Sequence, residues 1–147
     1  MIQLRHFVES DAAVLQKNQP SAGNTESIME MIAAWESKSF HGKYFEMFAI
    51  TWEQRIVGSI SLYEHSKNVV SIGVDVFPEE RRKGFSAEGM RLIIAIARNQ
   101  GYKLIQDQVS VDNQPSIALH EKLGFETDGY VYKNSRDRKV LLYMLFL

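Results

Sequence analysis

Apolar positions recur with two periods along the chain, and their changes mark the elements. Residues 2–8, IQLRHFV, form a short apolar-rich run that predicts a strand. Ser10 and Asp11, both helix-capping residue types, precede a short helix over Ala12–Lys17. Asn18–Asn24 holds Pro20, Ser21 and Gly23 and reads as a loop. Thr25 then caps a helix to about Ser37, with Ile28, Met31, Ile32 and Trp35 on one face. Lys43–Thr51, Ile56–Tyr63 and Val69–Phe77 are β-branched or aromatic runs separated by WEQR and EHSKN, so they predict an antiparallel meander with polar turns.

At Ser86 the period changes to that of a helix. Met90, Ile93, Ile94 and Ala97 share one face up to Gln100, Arg98 sits in the last turn and Gly101 follows as the C′ residue. Tyr102–Val111 predicts a fifth strand, and Pro115–Leu123 a helix ended by Gly124. Phe125–Lys133 and Val140–Leu147 predict two closing strands around the polar turn NSRDRK. The order β-α-α-β-β-β-α-β-α-β-β predicts an α+β fold, a mixed sheet of seven strands flanked by about four helices, rather than a regular βαβ alternation.

Composition narrows the class. The 147 residues are 45% hydrophobic and 24% charged, which suits one domain over 1–147 with a sizeable core. There is no cysteine, hence no disulfide framework, no thiolate zinc site and no cysteine nucleophile, and a cytoplasmic location is expected. A formal net charge of -1 argues against a general nucleic-acid binder. Arg5, Glu9 and Asp11 interrupt the N-terminal run, so no signal peptide is read, and LIIAIA and LLYMLFL fall far short of the roughly 20 residues of a membrane span. His6, His41 and His65 are scattered without ligand spacing, so no metal is assigned.

The segment VDVFPEERRKGFS, Val74 to Ser86, runs from a strand through a basic, glycine-containing turn into the most regular helix. Unpaired first-turn amides, the positive end of the helix dipole and a glycine that admits close approach suit a phosphate group, and Arg81, Arg82 and Lys83 add positive charge. It is neither a P-loop nor a G-x-G-x-x-G turn. A second segment, NQPSIALHEKLGF, puts Asn113 at the end of a strand and His120 two helical turns later on the same face.

Together, R-x-x-G-x-S at Arg81–Ser86 and N-x-x-S-x-x-L-H-x-K-x-G-F at Asn113–Phe125 resemble the two signature regions of the GNAT superfamily of N-acetyltransferases. The resemblance extends to the order of elements over nearly the whole chain, and the LHEKLGF form is most similar to the phosphinothricin-type small-molecule branch. It implies acetyl-CoA as co-substrate, its pantetheine arm in a gap between the fourth and fifth strands against the main chain of Val74 and Val76. The pyrophosphate would rest on the turn that includes Arg81, Arg82, Lys83, Gly84, Phe85 and Ser86, and Asn113 would hydrogen-bond the pantetheine. Ser86 stands where the family usually has glycine or alanine.

Acetyl transfer needs a neutral amine, a polarised thioester carbonyl and a proton for the thiolate. The resemblance gives the carbonyl to a backbone N–H near Val76. His120 stands where many relatives carry a tyrosine general acid, and an imidazole is chemically adequate there. Asp75 is a second catalytic candidate. Val70 and Gln108 occupy the positions of the family's carboxylate bases, which leaves the base unassigned. Acceptor choice is expected from Gln19–Phe40 and Tyr130–Lys139; Glu26, Glu30 and Glu36 read as a solvated helix face. The expected activity is acetylation of a primary amine of a small molecule. The alternatives are a peptide or ribosomal-protein N-terminal acetyltransferase and a non-catalytic acyl-CoA-binding module; a homodimer is compatible with each.

Overall fold

A computed structural model describes residues 1–147. Nine strands and four α-helices follow one another: β1 (Ile2–Arg5), α1 (Ala12–Asn18), α2 (Thr25–Trp35), β2 (Ser39–Phe40), β3 (Lys43–Trp52), β4 (Arg55–Ser66), β5 (Val69–Val76), α3 (Phe85–Asn99), β6 (Leu104–Ser110), α4 (Gln114–Lys122), β7 (Glu126–Thr127), β8 (Tyr132–Lys133) and β9 (Lys139–Phe146). The sheet runs β1-β3-β4-β5-β6-β9-β7, with β2 on β3 and β8 on β9. Its pairings are antiparallel except β5 with β6, so the architecture is the expected α+β mixed sheet.

Period-two alternation sends each strand's apolar residues to two faces. Val70, Ile72, Val76, Ile105 and Val109 face α3, whose Met90, Ile93, Ile94 and Ala97 are buried against them. A second core on the opposite face joins Leu15 of α1 and Ile28 and Ile32 of α2 to Ala49, Ile56 and Phe77.

Several boundaries differ from the expectation for local physical reasons. α2 is capped by Asn24, whose side-chain oxygen accepts the Ser27 amide at 2.8 Å, so Thr25 is its first residue rather than its cap. The EHSKN turn shrinks to Lys67–Asn68, and β4 runs on to Ser66 through a bulge. The predicted strand 125–133 breaks into β7 and β8, because Asp128 accepts the Tyr130 amide and Gly129 takes a left-handed φ of 77°. The two split pieces and the small β2 raise the count from seven strands to nine.

The pairing of β5 with β6 positions the site. The two strands meet only at Val69↔Leu104 and Val70↔Ile105. Beyond that point β5 stays with β4 as far as Gly58↔Val76, while β6 stays with β9 as far as Ser110↔Val140. Each strand follows its outer neighbour, and a V-shaped gap opens between them.

Candidate active site

Two cavities flank the gap, of about 730 Å³ and 630 Å³, and Val74 and Ser116 line both.

The larger cavity is built by the turn that leads into α3. Gly84, the N-cap residue, has φ 80° and offers no side-chain cap, and Arg82 also has a left-handed φ, 64°. The first-turn amides therefore lack the partner that a cap would supply, at the positive end of a 15-residue helix. Added at Gly84, a Cβ would meet no protein atom within 4 Å, so the space above it is open. Arg82, Gly84, Phe85 and Ser86 line the cavity from this side.

Its other walls are β5 and the start of α4. Val76 turns its carbonyl away from β4 and accepts from Arg81 Nε at 2.9 Å, and the Ile72 amide is likewise bonded on the gap side. By alternation the backbone of Val74 faces the same opening. Asn113 caps α4, its Oδ1 accepting the Ser116 amide at 3.2 Å, while its side-chain NH₂ has no partner. Asp75 lies half-exposed at the rim, accepting from Gln19 Nε2, with Arg81 3.6 Å away. Lys83 alone among the residues expected here turns elsewhere, to Glu80 at 3.3 Å. Uncapped amides, the unpaired Arg82 and an open strand edge are donors that suit a phosphorylated, amide-bearing ligand such as acetyl-CoA.

The smaller cavity, on the other side, is lined mostly by polar groups. His120 lies under it, 5% exposed, packed against Phe125 and Tyr143. Both ring nitrogens are engaged: Nδ1 donates to the Ser116 carbonyl at 2.8 Å and Nε2 lies 2.9 Å from Asp107 Oδ2. Burial works against the charged ring, but the bonds to Asp107 and to the Ser116 carbonyl outweigh it, so the imidazole titrates above its ordinary value. The Ser116 hydroxyl is 3.4 Å from Nδ1.

Asp107, which the sequence reading passed over, holds the vertex of the gap. Its Oδ1 accepts the Ile72 amide at 2.9 Å, replacing a ladder bond that diverging strands cannot make. The signal was present: Ile105, Asp107 and Val109 share a period-two face, so a carboxylate sits where a core residue belongs. Ser71, 2% exposed, closes the vertex on the other face by donating to the Gln106 carbonyl, and it also bonds His65. Asn134, Ser135 and Arg136 reach the cavity from the expected closing hairpin, whereas nothing from Gln19–Phe40 lines it. Arg136 makes no ion pair.

The gap therefore opens to a cavity on each side, one walled by helix-start amides and the other by polar side chains. Residues 12–125 match the Acetyltransferase (GNAT) family, and the chain belongs to that family. Among curated proteins it is 29% identical over 102 residues to the SPbeta prophage-derived uncharacterized N-acetyltransferase YokL of Bacillus subtilis, a match covering 67% of this chain and 58% of that protein. It is 33% identical over 67 residues to the L-methionine sulfoximine/L-methionine sulfone acetyltransferase of Pseudomonas aeruginosa, covering 46% of this chain and 39% of that one. The chain thus spans little more than half the length of the first relative and less of the second. Among solved structures, Mycobacterium smegmatis RimJ in complex with CoA-disulfide has the same fold, with a TM-score of 0.85 at 17% identity over 99% of this chain and 81% of that one.

Proposed function

We propose that residues 1–147 act as one N-acetyltransferase domain that moves an acetyl group from acetyl-CoA to the primary amine of a small, carboxylate-bearing molecule, by direct attack without a covalent enzyme intermediate. The observation that carries this is the β5/β6 gap, open to a phosphate-suited cavity on one side and a polar cavity on the other. Acetyl-CoA, when bound, supplies the activated acyl group. Gly84, Phe85 and Ser86 amides with Arg82 hold its phosphates, the backbone of Val74 and Val76 holds the pantetheine arm, and the Asn113 amide donates to it. A main-chain N–H near Val76 polarises the carbonyl.

His120 is the proton source in this reading, and Ser116 connects it to the gap. As the Ser116 hydroxyl gives its proton to the departing thiolate it takes one from Nδ1 of the His120 imidazolium, so the ring ends neutral and the hydroxyl is restored. For the acceptor, Arg136 is an unpaired cation on the cavity opposite the coenzyme side, which favours an amine that also carries a carboxylate. The Pseudomonas relative's named substrate, an amino acid derivative, agrees with that chemistry.

The test is thiol release from acetyl-CoA over L-methionine sulfoximine, proteinogenic amino acids, polyamines and peptide N-termini. Turnover on amino acids is expected, and binding of acetyl-CoA without turnover on any amine would favour the binding module. Ser116→Ala leaves the His120 and Asp107 contacts in place; it should lower kcat at least about tenfold with acetyl-CoA affinity near wild type, within the usual range of general acid catalysis.

A further inference from the structure

The geometry points to His65 as the base that takes the proton from the acceptor amine, a role that rests on the acetyltransfer reading above. β4 pairs Glu64 with Val70 and Ser66 with Val69, so His65 is the extra residue of a β-bulge. A bulge re-aims the side chain it carries. Here the ring reaches Ser71 on β5 and lines the smaller cavity, opposite the coenzyme side.

The hydrogen-bond chain fixes which nitrogen is free. The Gln106 carbonyl can only accept, so the Ser71 hydroxyl directs its proton there. The Ser71 oxygen must then accept from His65, which places the ring proton on Nε2. In the neutral ring Nδ1 keeps its lone pair, and no protein group bonds to it. Ser71 is 2% exposed, so water does not readily replace either partner.

The neighbours leave this role to no other side chain. Titratable and charged groups around the ring are Tyr63 beside it, Lys43, whose ammonium holds the His65 carbonyl, and Asp107, His120 and Arg136 across the cavity. Asp107 is committed to Ile72 and His120, both His120 nitrogens are engaged, burial holds the Tyr63 phenol above its ordinary value and so protonated, and Arg136 and Lys43 are cations. In the step, one N–H bond of the ammonium breaks, its electron pair stays on the amine nitrogen, and the proton joins Nδ1. The imidazolium keeps its Nε2 bond to Ser71, and its exposed ring returns the proton to water.

Steady-state kinetics of wild type and His65→Gln with acetyl-CoA and L-methionine sulfoximine, or the amine turned over best in the screen, test this from about pH 6.5 to about pH 9.5, the approach to an amine's own titration. The variant should lose about 10²-fold in kcat at the acid end, with the deficit closing as the pH rises, because an amine that arrives neutral needs no base. The KM for acetyl-CoA should not change. Full activity at every pH, or a deficit of constant size, would overturn the role of His65 while leaving the acetyltransferase reading intact. A wild-type protein without turnover on any amine would overturn both.

Discussion

The two helices that begin at the gap start in opposite ways. α4 opens closed: Asn113 accepts the Ser116 amide, and Pro115 in the first turn has no N–H to satisfy. α3 opens on Gly84 in the left-handed region, without a side-chain cap, beside Arg82 and Arg81. With glycine in place of a capping side chain the cost is only a few tenths of a kcal/mol, so the longer helix keeps its first-turn amides open for a bound phosphate at little loss of stability. α4 serves instead as a fixed wall, tied to the sheet by His120 and Asp107. One terminus is spent on the fold and the other is kept for a ligand.

Loosening the fixed wall should have the largest effect. Asp107→Ala removes the partner of a buried histidine and of the Ile72 amide, and breaking such a pair typically costs about 3–5 kcal/mol. The milder Asp107→Asn gives the pH signature. Because the folded His120 titrates above its ordinary value, its contribution is complete below the unfolded value of about 6.5 and is lost as pH rises through the raised value. Urea midpoints of the wild type should therefore fall from about pH 6 to about pH 8 relative to Asp107→Asn. Parallel profiles would show that the pair does not anchor α4.

Filling the open terminus comes next. Gly84→Val puts a β-branched residue at φ 80°, at a conformational cost of about 1–3 kcal/mol, although a Cβ there clashes with no protein atom. Its second effect separates the two helices. At a hundredfold excess over Kd a ligand stabilises by about 2.7 kcal/mol, and thermal shift with acetyl-CoA should lose that increment in the variant. A lower melting temperature with the ligand increment intact would make Gly84 a turn residue only.

The sequence disclosed this contrast unevenly. The α3 turn was legible because its signals are local: a basic run, a glycine and the change to helical period at Ser86, one residue inside the helix that begins at Phe85. The direction of Lys83 was not, since Glu80 captures it through side-chain geometry. His120 was legible as a position but its buried pairing was not, because the partner Asp107 stands on β6, a different element. His65 was hidden in what read as a turn; its placement depends on a bulge, which period-two alternation does not encode.

The smallest expected effect sharpens the comparison most, because at Asn113 the cap and the proposed ligand contact use different atoms. Oδ1 accepts the Ser116 amide and the NH₂ is free. Asn113→Asp keeps the acceptor and adds a negative charge at a helix N-terminus, worth about 0.3–1 kcal/mol of stabilisation, whereas Asn113→Ala loses the cap at a cost of about 1 kcal/mol. Stability should therefore rank Asp above Asn and Asn above Ala. Affinity for acetyl-CoA should rank differently. Aspartate has no NH₂ to donate and sets a charge near the phosphates, so it should bind more weakly than asparagine and no better than alanine, a loss of about 1–2 kcal/mol from the missing hydrogen bond. Urea unfolding and thermal shift with acetyl-CoA on the three proteins give both orders. If the aspartate variant binds as well as the wild type, Asn113 closes α4 and does nothing else.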